Sequence, residues 1–324
     1  MVPRLQKRYY IGSPGPRDLS HAPLPHCNQA LPSPFVPGVF SSGDLRSSQL
    51  CVRLQNEIEY QKKLTNMKVY KDTNSIVLVF GADNGYAKQL AVAIYTCINN
   101  ICQRHKLDIH VISNGIEKEN KTIINRIVGN TNRHKIKWHD GHDLVKDLPV
   151  TNKLVNESAY IPFHIPHILR SDVKHCIYLD CDIIVHGDIS KIWKLRDDDI
   201  STQAVRDQWI PTVSSKSGLQ NYAELDLSPK HPYFNSGVLL INLKAWRQKH
   251  VREEARHYLL DHHERMVYAD QEVLNALLAH DWKALDPRWN VHHAIDTPGW
   301  EQASRAWSDG PFKEHLRSTR EALR

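Results

Sequence analysis

The 324-residue sequence predicts an α/β fold in which a largely parallel sheet carries helices on both faces. Two observations predict it. From Ser75 onward, apolar runs of strand length alternate with stretches whose apolar residues recur at helical spacing. The run Ile177–Val185 then reads as a buried strand with two carboxylates, Asp180 and Asp182, at its exit. In order, the elements expected are a strand at Ile76–Phe80, a helix over Tyr86–Ile101, a strand at Leu107–Ile112, a helix over Glu117–Val128 and a strand at Lys135–His139. A helical stretch near Ala159–Leu169 leads into the Asp180 strand. In sheets of this kind ligands bind at the carboxyl ends of the strands, so the Asp83 region and Asp180/Asp182 are expected to face one crevice.

Residues 1–66 differ from the rest. Eight of the 17 prolines fall before residue 40, among Ser, Gly and His, with no helical or strand period. Such a segment buries too little apolar surface to offset its chain entropy. It is expected to be a Pro-rich disordered tail, with a short helix at Arg53–Lys63, or a stretch preceding a true start at Met67. Residues 67–324 are expected to form a single domain.

Hydrophobic residues make up 41% of the chain and charged residues 24%, values of an ordinary globular enzyme. Of the net charge of +6, residues 1–66 carry +4, so the remainder is nearly neutral and has no basic stripe for nucleic acid. Cys27, Cys51, Cys97, Cys102, Cys176 and Cys181 follow no disulfide or metal spacing, which fits a reducing, cytoplasmic setting. No apolar run is long enough to span a bilayer, and no apolar stretch follows Arg4, Lys7 and Arg8 as a signal peptide requires. The sequons at Asn120 and Asn156 are therefore read as coincidental.

Alternate residues of an extended chain share a face, so Asp180 and Asp182 are expected to point together. Two adjacent like charges favour a cation between them, and hard oxygen donors suit Mg²⁺ or Mn²⁺. By itself an Asp-x-Asp is more often a capped turn. Four segments read together say more: Phe80-Gly81-Ala82-Asp83-Asn84-Gly85-Tyr86-Ala87, Tyr178-Leu179-Asp180-Cys181-Asp182, Tyr233 to Arg247 with Asn235-Ser236-Gly237 as a turn before an apolar strand, and Tyr268-Ala269-Asp270-Gln271-Glu272-Val273-Leu274-Asn275.

In kind, order and spacing these segments resemble retaining glycosyltransferase family 8, which includes glycogenin and bacterial lipopolysaccharide galactosyl- and glucosyltransferases. The resemblance covers roughly residues 74 to 295. It implies a GT-A type, Rossmann-like mixed sheet, and transfer of glucose or galactose from a UDP-hexose to an acceptor hydroxyl with α configuration retained. It also implies that Gly81, Ala82, Asp83 and Tyr86 meet the uracil and ribose, with Asp83 accepting from the base and Tyr86 stacking on it. Capping of a helix is an alternative role for Asp83, and ordinary packing for Tyr86. Asp180 and Asp182 would hold the metal, with Cys181 between them. Asn235 and Ser236 would reach sugar hydroxyls, and Asp270 and Gln271 would lie at the anomeric carbon. Because glutamine is a poor nucleophile, front-face attack is favoured over a double displacement. The acceptor implied is a glycan, a lipid-linked glycan or a protein, with peripheral contact at the inner membrane face for the lipid-linked case.

Two departures from the family pattern stand out. Pro162 occupies the place of an arginine that helps hold the diphosphate, with His164 or Lys153 as substitutes. The family's closing segment, which supplies a histidine ligand and a lysine, has no counterpart before Arg324, so the chain is expected to be truncated there; His292 and His293 are replacement candidates. An alternative expectation is therefore a non-catalytic, UDP-binding homologue. A remote one is a haloacid-dehalogenase-like phosphatase, whose nucleophile strand also ends in Asp-x-Asp but sits near its domain's start.

Overall fold

The computed structural model describes residues 9–11, 75–129, 133–145, 148–149 and 157–292, all within one compact unit. Its main sheet has seven strands in the order β4-β3-β2-β5-β8-β7-β9. They are β2 (Ser75–Asp83), β3 (Lys106–Asn114), β4 (Lys135–Asp140), β5 (His175–Leu179), β7 (Thr202–Arg206), β8 (Phe234–Asn242) and β9 (Trp282–Ala284). β4, β3, β2 and β5 are mutually parallel, β8 runs against both β5 and β7, and β9 is parallel to β7. The expected α/β fold with a mixed, mostly parallel sheet is therefore the one found, with β8 as the single reversed strand.

Period-2 burial explains the two helical layers. Ile76, Leu78 and Phe80 of β2, Ile177 and Leu179 of β5, and Val238 and Leu240 of β8 feed one apolar cluster. Val79, Cys176, Tyr178, Leu239 and Ile241, the intervening residues, feed the other. The first cluster is covered by α1 (Ala87–Asn100), through Leu90, Ala93, Ile94 and Cys97, and by α2 (Lys118–Val128), through Ile124 and Val128. Against the second, beyond a single turn α3 (His142–Val145), pack α4 (Ile161–Ile168), α6 (Leu243–Gln248), α7 (Val251–His262) and α8 (Ala269–Leu278). The short α5 (Ser190–Trp193) completes the first face.

One expected strand divides in two. The stretch Ile177–Val185 forms β5 and then β6 (Ile183–Val185), in a different sheet, with a turn through Cys181 and Asp182 between them. β6 is parallel to β1 (Tyr9–Ile11), which pairs on its other side with β10 (Val291–His292). The division is a register effect. β5 follows β8 as far as Leu179 opposite Val238, and the Asp180 amide makes a last bond to the Gly237 carbonyl at 2.9 Å. Similarly, Asn235-Ser236-Gly237 is the start of β8 rather than a turn before it, because β7 and β5 pair on either side.

α4 contains Pro166, which breaks its hydrogen-bond ladder, and the helix ends two residues later. Its terminal carbonyls are gathered by Arg247, from α6. That guanidinium donates to the carbonyls of Pro166 at 2.9 Å, Leu169, Arg170 and Val173 at 3.0 Å, and Ser171 at 3.4 Å. A planar fork with five donors suits a cluster of orphan helix-end carbonyls, where positive charge is also favoured by the helix dipole. This clasp fixes the connection that aims β5.

Candidate active site

The crevice lies at the carboxyl ends of β2 and β5, where the reversed β8 brings its amino end. β2 ends at Asp83, whose Oδ1 accepts from the Tyr86 amide at 3.1 Å and caps the 3-10 turn Asn84–Tyr86. The capping role considered for Asp83 is thus realised. Tyr86 is 42% exposed, so its ring is not consumed by packing. Gly81 and Ala82 are different. A Cβ at Gly81 would stand 2.7 Å from Ile161 Cγ2, so this glycine allows α4 to approach the sheet. The Ala82 side chain is buried, which leaves only its backbone for a ligand.

Asp180 and Asp182 lie in the turn after β5, not on one face of an extended strand. The Tyr178 hydroxyl donates to Asp180 Oδ1 at 3.0 Å. Gly237 keeps the space beside Asp180 open, since a Cβ there would meet Asp180 Oδ2 at 2.9 Å. Several carboxylates share this region. Burial pushes the Cys181 thiol well above its ordinary range, and the charges of Asp182, Asp180 and Asp83 push it further. Burial likewise raises the Tyr178 phenol, assisted by Asp180 and Asp270. Cys181 is therefore a neutral thiol rather than a thiolate ligand.

The crowding of oxygen anions, and the absence of a Cβ at residue 237, fit a hard divalent cation at Asp180 and Asp182. Among the described residues no third His, Cys, Asp or Glu joins them in a ligating cluster. His293 and the side chain of His292 lie outside the described residues, as does Lys153. His164 does not turn to the strand ends; its ring lines a cavity beside α7.

Across the crevice, α8 presents Asp270 and Gln271 in its first turn. The preceding Ala269 has φ of +25°, a left-handed backbone that a non-glycine residue adopts only under constraint. Asn275 anchors the helix to β8, accepting from the Phe234 amide and donating to its carbonyl, both at 2.8 Å. Asp270 does not cap α8. Tyr268 holds the cap position, and Glu272 accepts from the Val267 amide at 3.0 Å.

The residue that joins these pieces is Asp207, which sequence reasoning missed. It follows β7, where a register shift between Ala204 and Arg206 re-aims the strand end. Asp207 is 3% exposed and receives four hydrogen bonds: Oδ1 from the amides of Trp209 (2.7 Å) and Ile210 (2.8 Å), Oδ2 from Asn235 Nδ2 (2.9 Å) and Gln271 Nε2 (3.0 Å). Amide orientations are fixed independently. Asn235 Oδ1 accepts from the Gly237 amide at 2.9 Å, and Gln271 Oε1 from the Ser236 amide at 3.2 Å, so both NH₂ groups must face Asp207. Asn235, also bonded to Asn290 at 2.8 Å, is buried and committed to this network, and Ser236 is buried beside it. Trp209 stands 47% exposed at the edge.

The sequence model of glycosyl transferase family 8 matches residues 77–311. The chain belongs to that family. Relatives include General stress protein A of Bacillus subtilis (strain 168), 29% identical over 67% of this chain and 74% of its own length. A putative glycosyltransferase of Haemophilus influenzae is 24% identical over 66% of this chain, but the match spans only 62% of that protein. A lipopolysaccharide 1,2-glucosyltransferase of Escherichia coli is 25% identical over 71% of this chain and 66% of its own. Among solved structures, the galactosyltransferase LgtC, determined in complex with donor and acceptor sugar analogues, superimposes with a TM-score of 0.55 at 23% identity, over 65% of this chain and 74% of that one. The shared fold is thus the GT-A glycosyltransferase fold, which sets aside the phosphatase alternative.

Proposed function

We propose that this chain is a retaining hexosyltransferase that moves glucose or galactose from a UDP-sugar to an acceptor hydroxyl, with Mn²⁺ or Mg²⁺ at Asp180 and Asp182. Family membership and relatives named as glucosyl- and galactosyltransferases support the reaction class. The observation that carries the reading is a continuous hydrogen-bonded chain from the Asp180 turn through Gly237, Asn235 and Asp207 to Gln271. It couples the groups suited to a diphosphate with those suited to a sugar's anomeric carbon.

A divalent ion held by the two aspartates would neutralise charge as UDP departs. Asp83 and Tyr86 would border the uracil, Tyr86 by stacking. The acceptor oxygen bonds to the anomeric carbon on the face from which the diphosphate leaves, and the leaving phosphate oxygen takes the acceptor's proton. Asp270 and Gln271 steady the cationic carbon. Asn235 and Ser236 act by holding Gln271 and the turn, rather than by reaching the sugar themselves. The exposed indole of Trp209, beside Asp207, offers an apolar face to an acceptor sugar, whether on a glycan, a lipid-linked glycan or a protein. No helix among the described residues is long and apolar enough to cross a membrane; a lipid-linked acceptor would be met by peripheral contact at the inner membrane face.

Titration of UDP with and without Mn²⁺, followed by mass analysis after incubation with UDP-glucose or UDP-galactose and candidate acceptors, tests this. Metal-dependent UDP binding together with a hexose mass increment is expected, and Trp209→Ala should raise the acceptor KM without altering UDP affinity. Metal-dependent binding with no transfer or donor hydrolysis would favour the second reading, a UDP-binding homologue, which Pro162 in place of an arginine motivates. UDP binding indifferent to metal would overturn the metal-dependent transferase, and no UDP binding with or without metal would sink both.

A further inference from the structure

Away from the crevice, on the helical face formed by α4 and α7, a cavity of about 130 Å³ is lined by Asp143, Leu144, Leu148, Phe163, His164, Arg252 and Arg256. Its wall contains an unusual imidazole. His164 is 4% exposed, and among the described residues neither of its ring nitrogens has a hydrogen-bond partner. Leaving two buried polar atoms unpaired is unfavourable. Burial and the neighbouring Arg252 and His167 hold the imidazole's pKa down to about 4, against a smaller opposing effect of Glu253, so the ring is neutral when the cavity is empty.

Arg252 and Arg256 lie one turn apart on α7, and among the described residues neither has an ion-pair partner. The nearby carboxylate Glu253 is instead 3.5 Å from His167. Arg252 also sits in the first turn of its helix, where a cation opposes the dipole and an anion is favoured. Asp143 is the only carboxylate among the described lining residues, and it is exposed.

We propose that this cavity is a second ligand site, taking a phosphate-class oxyanion held by Arg252 and Arg256 and by a ring nitrogen of His164. The chemistry matches: a tetrahedral oxyanion accepts from guanidinium forks and from an imidazole N–H at once. The volume is about that of four waters, enough for phosphate. Leu144, Leu148 and Phe163 supply an apolar wall that would accommodate the carbon end of a phosphomonoester. The ligand is therefore either free phosphate or a phosphate ester, and the two are separable.

The test is calorimetric titration of inorganic phosphate, and separately of glycerol 3-phosphate, into the full chain without divalent metal at constant ionic strength. Saturable binding is expected in the parent protein, weakened roughly tenfold or more in Arg252→Gln/Arg256→Gln. It should also weaken in His164→Leu, which removes the unpaired nitrogens and should melt no lower than the parent. Equal affinity for both probes identifies free phosphate as the ligand; tighter ester binding identifies a phosphate-bearing group. No saturable binding, or binding unchanged in both variants, overturns the proposal. Neither outcome depends on glycosyl transfer, and UDP binding with Mn²⁺ should be the same in the arginine variant as in the parent.

Discussion

Asp207→Asn should reduce turnover about 10²-fold or more while leaving Mn²⁺-dependent UDP affinity within about threefold of the parent. The substitution preserves shape and keeps one oxygen for the amides of Trp209 and Ile210. At the other position an NH₂ replaces an acceptor and meets the NH₂ groups of Asn235 and Gln271, donor against donor. Two bonds are lost, at a stability cost of about 2–4 kcal/mol, and Gln271 is released from its place. Asp207 is thus a positioning residue, and steady-state kinetics separate its role from general unfolding. A loss confined to kcat supports it. A proportionate loss of folded protein, with normal kcat per folded molecule, would leave Asp207 a structural residue only.

The second large effect is of opposite sign on stability and activity. Asp182→Asn removes one charge from a crevice where Asp83, Asp180 and Asp182 all act on Cys181. Without metal, repulsion falls, so the variant should melt no lower than the parent. With Mn²⁺ and UDP, it should lose about 10²-fold or more in both binding and kcat/KM, because one of the two proposed oxygen ligands has gone. Thermal melts in chelator, set beside calorimetry in Mn²⁺, read both signs. Destabilisation in chelator together with unaltered UDP binding would mean that Asp182 serves the turn and not a cation.

Much of this arrangement is legible in the sequence because it rests on short-range patterns. The apolar runs of β2, β5 and β8 and the helical spacing of α1 and α2 announce their elements, and Asp83, Asp180, Asp270 and Gln271 stand at the element ends where those runs stop. Long-range pairing is harder to read. The end of β5 at Leu179 is decided by β8, and the reversal of β8 leaves no mark in a run buried along its whole length. Asp207 was missed for the same reason. Its neighbours Arg206, Gln208 and Trp209 look like any polar loop, and its partners lie 28 and 64 residues away. Asn235 is expected from the sequence to reach sugar hydroxyls; its burial and its bonds to Asp207 and Asn290, which fit a supporting role, rest on the same distant partners.

The Arg247 clasp also bears on the order in which the protein can be made. Residues 161–173 lead into the strand that carries Asp180, yet the donors for their carbonyls come from a side chain 74 to 81 positions downstream. On the ribosome, this segment must wait for residue 247 to emerge before its helix end is satisfied. The crevice is therefore completed only after residue 247 has been made.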